Sequence, residues 1–551
     1  MKVLLIALNA HYMHTSLAVR QLKAACRNLA GIDTAVHEGH INLPFRRVLG
    51  DIARHKPDVI GFSCYIWNIE YVMRLCGALR LALPKTRIVL GGPEAAFDAE
   101  NILREHACID AVMSGEGEAV LPALLEAVRD GRTPCGIAGV SARDEAGKIV
   151  ITPPSTPIPP EEWGDVYADG AEGLERRIVY IETSRGCPYN CQYCLSSREE
   201  KVRALSAEES VRRLTALAEG GVKLIKLVDR TFNFDRIRAK NIWRGLIDHA
   251  RRTGVSPRYH FEIAANLLDE ESIDLLAQAP DGLFQFEAGV QSASDGVLRQ
   301  VGRSVPFAPV RDAVKAVGRK GNIHLHTDLI AGLPGEDMRS FEHSFDETFE
   351  LGAQMLQLGF LKLLKGSGLR RDAEKLGIVY EPEAPYEVIS TREMSFEELC
   401  FLKDVEEVLE WYHNSGRYPA ALRLLLSEKK PFELFSHLAR RCRQDGVMDI
   451  EQGERVRAQA LLDIGSEFAD AAMLGDLIRH DLLSCGRRQD LPESLVFRES
   501  DEQRAKLRER FHPVRGQSLY EYAFDVRLYA ESGEYKEGTC VVIYDRHGAE
   551  K

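Results

Sequence analysis

The sequence predicts an α/β chain in three parts: a parallel sheet covered on both faces, an open or partial barrel of six βα units, and a mainly helical region ending in a small β element. Three observations predict it. Short apolar, β-rich runs alternate with helical stretches in two separate series. Five prolines between Pro153 and Pro160 divide the two series. After about Pro385 the alternation stops and helical periodicity takes over.

In the first series "KVLLIALN", "DVIGFSCY", "RIVLGGP" and "AVMSGEGE" read as strands, each followed by a helix such as "SLAVRQLKAACRNLA". In such sheets ligands sit beyond the carboxyl ends of the strands. Those ends carry Asn9, Ser63-Cys64-Tyr65, Gly91-Gly92-Pro93-Glu94 and Gly115-Glu116-Gly117-Glu118, and the glycines allow a close backbone approach. The hairpin-like "GVSARDEAGKIVIT" and the stiff linker "PPSTPIPPEEWGD" follow. The second series reads "RIVYIETSRG", "KLIKLVD", "YHFEIAAN", "LFQFEAGVQS", "NIHLHTDLIAGLPGE" and "MLQLGFLKLL". Six βα units make an open or partial barrel with its chemistry at the carboxyl ends of the strands. In the last region "SFEELCFLKDVEEVLEWYHNSG" opens with a capping box from Ser395 to Glu398 and stops at Gly416. "YEYAFDVRLYA" and "TCVVIYD" read as closing strands. The boundaries expected are 1–135, a hairpin and linker over 136–172, the barrel over 173–385 and a C-terminal domain over 386–551.

Composition bounds the function. A net charge of −12 argues against a surface built for nucleic acid or anionic membrane. The apolar start "VLLIAL" is too short for a secretory core, and no run approaches the roughly 20 residues of a membrane span. The chain is therefore read as cytoplasmic, its twelve cysteines as free thiols or metal ligands.

Three of those cysteines fall within eight residues, in "ETSRGCPYNCQYCLSS": Cys187, Cys191 and Cys194. The loop leaves the end of the first barrel strand. Three thiolates on one short loop can each hold one iron of a [4Fe–4S] cluster. A zinc site asks for a fourth ligand, and no second Cys/His pair is near in sequence. The missing ligand leaves one iron open to a small molecule.

With C-x3-C-x2-C and an aromatic residue, Tyr193, before the third cysteine, the sequence resembles the radical S-adenosylmethionine superfamily. The resemblance implies that the open iron chelates S-adenosylmethionine and that reductive cleavage yields a 5′-deoxyadenosyl radical on a partial (β/α)6 barrel. It extends to "FEAGVQS", with Glu287 and Gln291, and to "DLIAGLPGE", with Asp328 and Ile330, strand ends that line the cofactor in relatives. "VDRTFN" resembles the second-strand motif, with Asp229 and Asn233 as polar candidates near the methionyl carboxylate.

A flavodoxin-like (Rossmann-like) domain before such a barrel resembles the cobalamin-dependent radical S-adenosylmethionine enzymes, many of them methylases. Gly91, Gly92, Glu94, Gly115, Glu116, Gly117 and Glu118 match turns that wrap the cobalamin tail in those relatives. Asn9, Ser63, Tyr65 and Trp67 lie where residues meet the corrin. The cobalamin domain of methionine synthase carries Asp-x-His-x-x-Gly, whose His ligates cobalt. Here the turn reads Asn9-Ala10-His11-Tyr12-Met13-His14, without the carboxylate that would orient His11. The lower face is therefore expected to lack a histidine and to be packed by Tyr65 and Trp67. For Trp67 the competing reading is a core aromatic at a helix start.

The C-terminal region resembles an uncharacterised extension on one branch of this group and is expected to cover the barrel mouth. Its basic clusters, Lys429-Lys430, Arg440-Arg441-Arg443, Arg487-Arg488 and the run 504–515, read as solvated helix faces balanced by acids. The implied function is methylation of an unactivated carbon. The alternatives are a cobalamin-dependent rearrangement or cyclisation, and an RNA-modifying enzyme of the methylthiotransferase kind; Cys26, Cys64, Cys76 and Cys108 are too scattered for the second cluster of the latter. The expected partners are a small-molecule, peptide or RNA substrate and an external flavodoxin- or ferredoxin-type electron donor, with no membrane. The chain is expected to be a monomer or homodimer.

Overall fold

The computed structural model describes residues 1–551 apart from 169, 199–200, 497–500, 515–516, 546 and 549–551. It divides into two compact units. The first holds Met1–Gly289, Asp295–Leu325 and Phe360–Arg392; the second holds Val290–Ser294, His326–Gly359 and Glu393–Lys551.

The first unit begins with a seven-stranded sheet: β1 (Lys2–Asn9), β2 (Asp33–His40), β3 (Val59–Ser63), β4 (Arg87–Gly91), β5 (Ala111–Met113), β6 (Val140–Arg143) and β7 (Ile149–Val150), in the order β2-β1-β3-β4-β5-β6-β7. Strands β1 to β5 are parallel in flavodoxin order, and the expected hairpin adds β6 and β7 antiparallel at one edge. Strand β1 is buried from Val3 to Asn9, as a strand covered on both faces must be. Two apolar clusters, one holding Ile6, Phe62 and Leu90 and the other Leu5, Val89 and Leu121, form the layers beneath the covering helices.

The second series begins with β8 (Ile178–Ile181). A short antiparallel pair, β9 (Ser184–Arg185) and β10 (Arg203–Ala204), brackets the cysteine loop. Then come β11 (Leu224–Leu227), β12 (Arg258–Ile263), β13 (Phe284–Gln291), β14 (His324–Ala331) and β15 (Met355–Phe360). In the first unit β8, β11, β12 and β13 are parallel neighbours in that order. All six expected βα repeats are present. Strand β13 shows why their inner faces are polar. Phe284, Phe286 and Ala288 are buried on one face, where Phe286 meets Trp243 of the helix Arg236–Thr253. Gln285, Glu287 and Gln291 occupy the other face, as period-two alternation requires. The pair β16 (Val379–Tyr380) and β17 (Val388–Ser390) completes this unit.

In the second unit the C-terminal helices attach to the last two βα repeats. Asp346 accepts the Phe432 N–H at 2.7 Å. Asn414 bonds both N–H and C=O of Leu356 in β15 at 2.9 Å. The capping box forms, but the helix Phe396–Leu409 continues as a π-turn over Glu410–Asn414, and this turn presents Asn414. The predicted strand through Ala530 is corrected: β18 (Ser518–Phe524) stops where Asp525 accepts the Leu528 N–H and starts the helix Val526–Ser532, and β19 (Glu537–Tyr544) returns. The basic clusters meet acids: Lys429 pairs with Glu433, Arg441 with Glu467, Arg443 with Asp404 and Arg487 with Asp490. The run 504–515 lies partly outside the described residues.

Candidate functional site at the strand ends

The cysteine loop is held from three directions. At its root Asp229, fully buried, accepts the Thr183 N–H at 2.7 Å, the Thr183 hydroxyl at 2.5 Å and the Ser184 hydroxyl at 2.7 Å. In the middle the Gln192 N–H donates to Val301 at 2.8 Å, and Gln192 accepts from Leu369 N–H at 2.9 Å. The loop crosses Gly302 so closely that a Cβ there would sit 2.5 Å from the Asn190 carbonyl. Arg303 donates to Gly289 at 2.5 Å and points its other nitrogen at the Tyr193 hydroxyl, 3.5 Å away. Cys191 is buried, Cys187 and Cys194 half-buried, and Cys187 Sγ lies 3.4 Å from the Thr231 hydroxyl. Among the described residues no three His, Cys, Asp or Glu side chains gather round one ion. A cubane instead asks its thiolates to reach separate irons, and three thiols on one pinned loop fit it.

The acidic turns of the first sheet meet barrel residues. Arg185, two residues before Cys187, lies 3.2 Å from Glu116 and also pairs with Glu118 and Glu182. Its guanidinium stacks 4.5 Å over Trp163. Glu116 takes a second arginine, Arg203, at 2.5 Å and accepts the Ile158 N–H of the proline linker at 2.8 Å. Burial opposes ionisation of Glu116, but Arg203 and Arg185 outweigh it and hold its pKa below the ordinary carboxylate value. Burial dominates at Glu182 and raises its pKa. Glu94, 1% exposed, accepts the Tyr386 hydroxyl at 2.6 Å. A Cβ at Gly92 would fall 2.5 Å from the Cys64 carbonyl, and one at Gly115 2.9 Å from the Ser155 hydroxyl. The turns expected to wrap a nucleotide tail thus have protein partners.

A cavity of about 410 Å³ opens where the carboxyl ends of β1 and β3 meet those of β8 and β11. Asn9, His14, Tyr65, Trp67, Tyr180 and Arg230 are among its walls. Tyr65 and Trp67 stack with ring centres 4.4 Å apart and planes 5° from parallel. Trp67 is 44% exposed and its N–H donates to the Leu8 carbonyl at 3.1 Å, so it is no core aromatic. Ser63 is buried and directed at Ile6 of its own sheet. This flat, partly apolar wall fits one face of a corrin. The turn Asn9–His14 is tied to the barrel: Ile178 N–H donates to Met13 at 2.8 Å, Thr15 N–H donates to Ile178 at 3.2 Å, and His14 Nδ1 meets the Tyr180 hydroxyl at 2.7 Å.

Inside the barrel, Glu287 receives His260 at 2.9 Å and Lys226 at 3.4 Å. Burial alone would raise its pKa, but these two hold the carboxylate down at about 2. Burial keeps His260 below its ordinary value although the bond to Glu287 pulls the other way. Asn233 is buried and exchanges hydrogen bonds of 2.9 Å with Ala264. In the second unit Gln291 takes a positive φ of 71°. Glu336 receives the Ser292 and Ser344 hydroxyls at 2.6 and 2.9 Å and fixes the turn after it. Asp328 and Ile330 are half-buried on the face of β14 opposite the buried Thr327, Leu329 and Ala331. Sequence reasoning missed His14, Tyr180, Arg185, Lys226, Arg230, His260 and Arg303. Arg185 in the cysteine loop, His14 in the Asn9–His14 turn and Arg230 in "VDRTFN" sit inside motifs already quoted; nothing local marks Arg303.

Residues 3–125 match the family "B12 binding domain", residues 181–348 "Radical SAM superfamily" and residues 374–526 "Protein of unknown function (DUF4080)". The chain is 28% identical over 312 residues to an "uncharacterized methyltransferase" of Pyrococcus horikoshii, covering 55% of this chain and 66% of that protein. It is 26% identical over 408 residues to the "cobalamin-dependent radical SAM methyltransferase TokK" of Streptomyces tokunonensis, covering 68% and 59%. The chain thus spans about three fifths to two thirds of these relatives. Two solved structures share the fold. The "cobalamin-dependent S-adenosylmethionine radical enzyme OxsB" superposes with a TM-score of 0.61 at 14% identity, over 93% of this chain and 83% of that one. The "radical S-adenosylmethionine methyltransferase, TsrM" of Kitasatospora setae does so with 0.57 at 20% identity, over 70% and 79%. With the cysteine loop on the first barrel strand and the cavity where the two sets of strand ends meet, the chain thus joins a B12-binding domain, a radical SAM domain and a C-terminal domain of unknown function, in that order.

Proposed function

We propose that the protein methylates an unactivated carbon of its substrate, using a [4Fe–4S] cluster, S-adenosylmethionine and cobalamin. The observation that carries this reading is the cavity walled by both the cobalamin-type sheet and the barrel. Residues of both α/β series line this one volume, which supports a reaction that couples hydrogen abstraction to methyl transfer. When bound, the cluster with S-adenosylmethionine supplies hydrogen abstraction and cobalamin supplies the methyl group. The protein's part is placement. Cys187, Cys191 and Cys194 hold the cluster on a loop that Asp229, Val301 and Leu369 fix. Tyr65 and Trp67 form a flat stacked wall on which a corrin would lie, and the histidine of that cavity, His14, is bonded to Tyr180. Glu287, kept ionised by Lys226 and His260, faces the barrel interior as a hydrogen-bond acceptor for S-adenosylmethionine.

No described helix is long and apolar enough to cross a membrane. An oxygen-sensitive cluster suits a reducing compartment, so the protein is placed in the cytoplasm with an external flavodoxin- or ferredoxin-type donor. Anaerobic turnover with methyl-labelled S-adenosylmethionine and host extract tests the function. Equal amounts of S-adenosylhomocysteine and 5′-deoxyadenosine, with label in the product, are expected. Production of 5′-deoxyadenosine with neither S-adenosylhomocysteine nor labelled product would refute methylation.

A further inference from the structure

Strand β8 ends at Ile181, and Tyr180 and Glu182, two residues apart and so on one face, both line the cavity. Glu182 is bonded through one oxygen alone. Its Oε1 accepts from Gln21 and from the Arg185 guanidinium, whose Nε lies 2.8 Å away. Its Oε2 has no hydrogen-bond partner among the described residues, although the side chain is only 14% exposed. A carboxylate oxygen withdrawn from water and left without a donor is costly, so it marks a place for one. From the first sheet Tyr65 faces the same space. Burial raises the pKa of its hydroxyl; the charge of Glu182 adds to that rise and the charge of Arg230 opposes it.

The charges around Glu182 do not balance. Glu116, Glu118 and Glu182 surround Arg185, and among the described residues one further arginine, Arg203, joins them at Glu116. Three carboxylates thus face two guanidiniums. The cavity's other cation, Arg230, has its own carboxylate in Glu262, 3.7 Å away. His14 is bonded to Tyr180, and burial lowers its pKa. Of the three acids Glu182 is the one on the cavity wall, and burial raises its pKa in spite of Arg185. A free acceptor oxygen with an uncompensated negative charge selects a cation that carries N–H donors. A carboxylate or phosphate would be repelled, and a neutral hydroxyl would leave the charge unpaired. An aliphatic amine is cationic at neutral pH and supplies both charge and donors. We propose that Glu182 binds a protonated amino group of the substrate, so that the protein acts on amine-bearing molecules. The proposal rests on the functional reading above.

The test uses full-length protein reconstituted anaerobically, as wild type and Glu182→Gln. Glutamine keeps an oxygen for Gln21 and Arg185 but turns the free acceptor into a donor. Iron content is measured first, and equilibrium dialysis then gives the Kd for cobalamin and for S-adenosylmethionine. The substrate is supplied as a dilution series of host extract, read as 5′-deoxyadenosine formed above the extract-free rate. One portion of the extract has its amines blocked with citraconic anhydride, and excess reagent is quenched before protein and S-adenosylmethionine are added. Part of that portion is unblocked with mild acid. A wild type that holds neither iron nor cobalamin, or that no extract stimulates, defeats the functional reading itself. Blocking is expected to abolish the stimulation of the wild type, and unblocking to restore it. Glu182→Gln is expected to need roughly 10- to 100-fold more extract for half the stimulation, as loss of a charge-assisted contact requires, with both Kd values within about threefold of wild type. The proposal is overturned if blocked extract stimulates the wild type undiminished, or if Glu182→Gln responds to extract within about twofold of wild type. It is also overturned if Glu182→Gln loses iron or weakens either cofactor about tenfold, which would assign the carboxylate to cofactor binding.

Discussion

Replacing Arg185 by Gln should loosen both the cysteine loop and the acidic turn of the first sheet. Arg185 is the cation shared by Glu116, Glu118 and Glu182, and the four side chains are only 11–16% exposed. A surface pair would be worth less than about 1 kcal/mol, but these charges are largely withdrawn from water. At the effective dielectric of protein sites each contact near 4 Å contributes about 4 kcal/mol before desolvation is subtracted. Removing one partner of such a cluster costs roughly 3–5 kcal/mol, because the charges left behind are buried and unpaired. Arg203 still covers Glu116, so the lower figure applies. At about 1.4 kcal/mol per tenfold change, 3 kcal/mol is a factor of about 150 in local opening. Hydrogen exchange on the cofactor-free protein reads this directly. Peptides over 116–118 and over 182–194 should exchange about 10²-fold faster in Arg185→Gln. Glu118→Gln should change them less than tenfold, because Arg185 keeps two carboxylates and one repulsion is relieved. If the 116–118 peptide in Arg185→Gln keeps its wild-type rate, Arg185 does not hold the first sheet to the barrel.

Other outcomes follow from single contacts. The triple Cys187, Cys191 and Cys194→Ala variant should lose the roughly four irons of a reconstituted cluster; retention of that iron defeats the assignment. Asp229→Asn removes the charge that accepts three donors at the loop root, so iron per chain should fall although all three cysteines remain, and full occupancy would show the root to be dispensable. Paramagnetic resonance of the cob(II)alamin form should show no nitrogen splitting from a lower ligand; splitting that vanishes in His14→Ala or His11→Ala contradicts the site described. Burial pushes the Asp481 carboxyl up to about 8 while it accepts the Ala420 and Ala421 N–H groups. With a folded pKa above the unfolded value near 4, its contribution is full below pH 4 and is lost as pH rises through about 8. Over that window it should lower the stability of the second unit by up to about 1.4 kcal/mol per pH unit, and Asp481→Asn should flatten that slope in urea titrations.

What was legible depended on how local the signal was. The cysteine loop announces itself because its ligands lie within eight residues. The strands that were read carry apolar runs; β2 escaped because "DTAVHEGH" is a half-exposed edge strand with few apolar residues. The helix after β18 was read as strand because its aromatic and aliphatic residues fit either period, and the capping by Asp525 decides it. The partners of the acidic turns were illegible for a different reason. Glu118 meets Arg185 across 67 residues, and Glu94 meets Tyr386 across 292. No spacing rule reaches that far, so the protein partners of these acids at the glycine-rich strand ends are invisible in the sequence. Asp229 and Arg230 exchange expectations in the same way: burial, invisible in sequence, decides which of two neighbours faces the cavity.

The two departures of the Asn9–His14 turn from Asp-x-His-x-x-Gly then have one physical cause. Asn9 donates its side-chain N–H to the His14 carbonyl at 2.8 Å and folds the turn onto itself. An aspartate has no N–H and cannot make that bond. His14, where the pattern has glycine, reaches the Tyr180 hydroxyl at 2.7 Å and stacks on its ring at 5.9 Å. A glycine would supply neither contact. Between them, Met13 and Thr15 hydrogen-bond to Ile178, so the turn adds a short parallel bridge to β8. Met13 N–H lies 3.4 Å from His11 Nδ1, and the His11 ring stacks against His40. A turn that hands a histidine to cobalt must leave that side chain free to reach the metal. Here the same backbone is bonded to the first barrel strand, and the histidine nearest the cavity is bonded to a tyrosine. The segment joins the two α/β layers, and the face that a ligand would occupy is left to Tyr65 and Trp67.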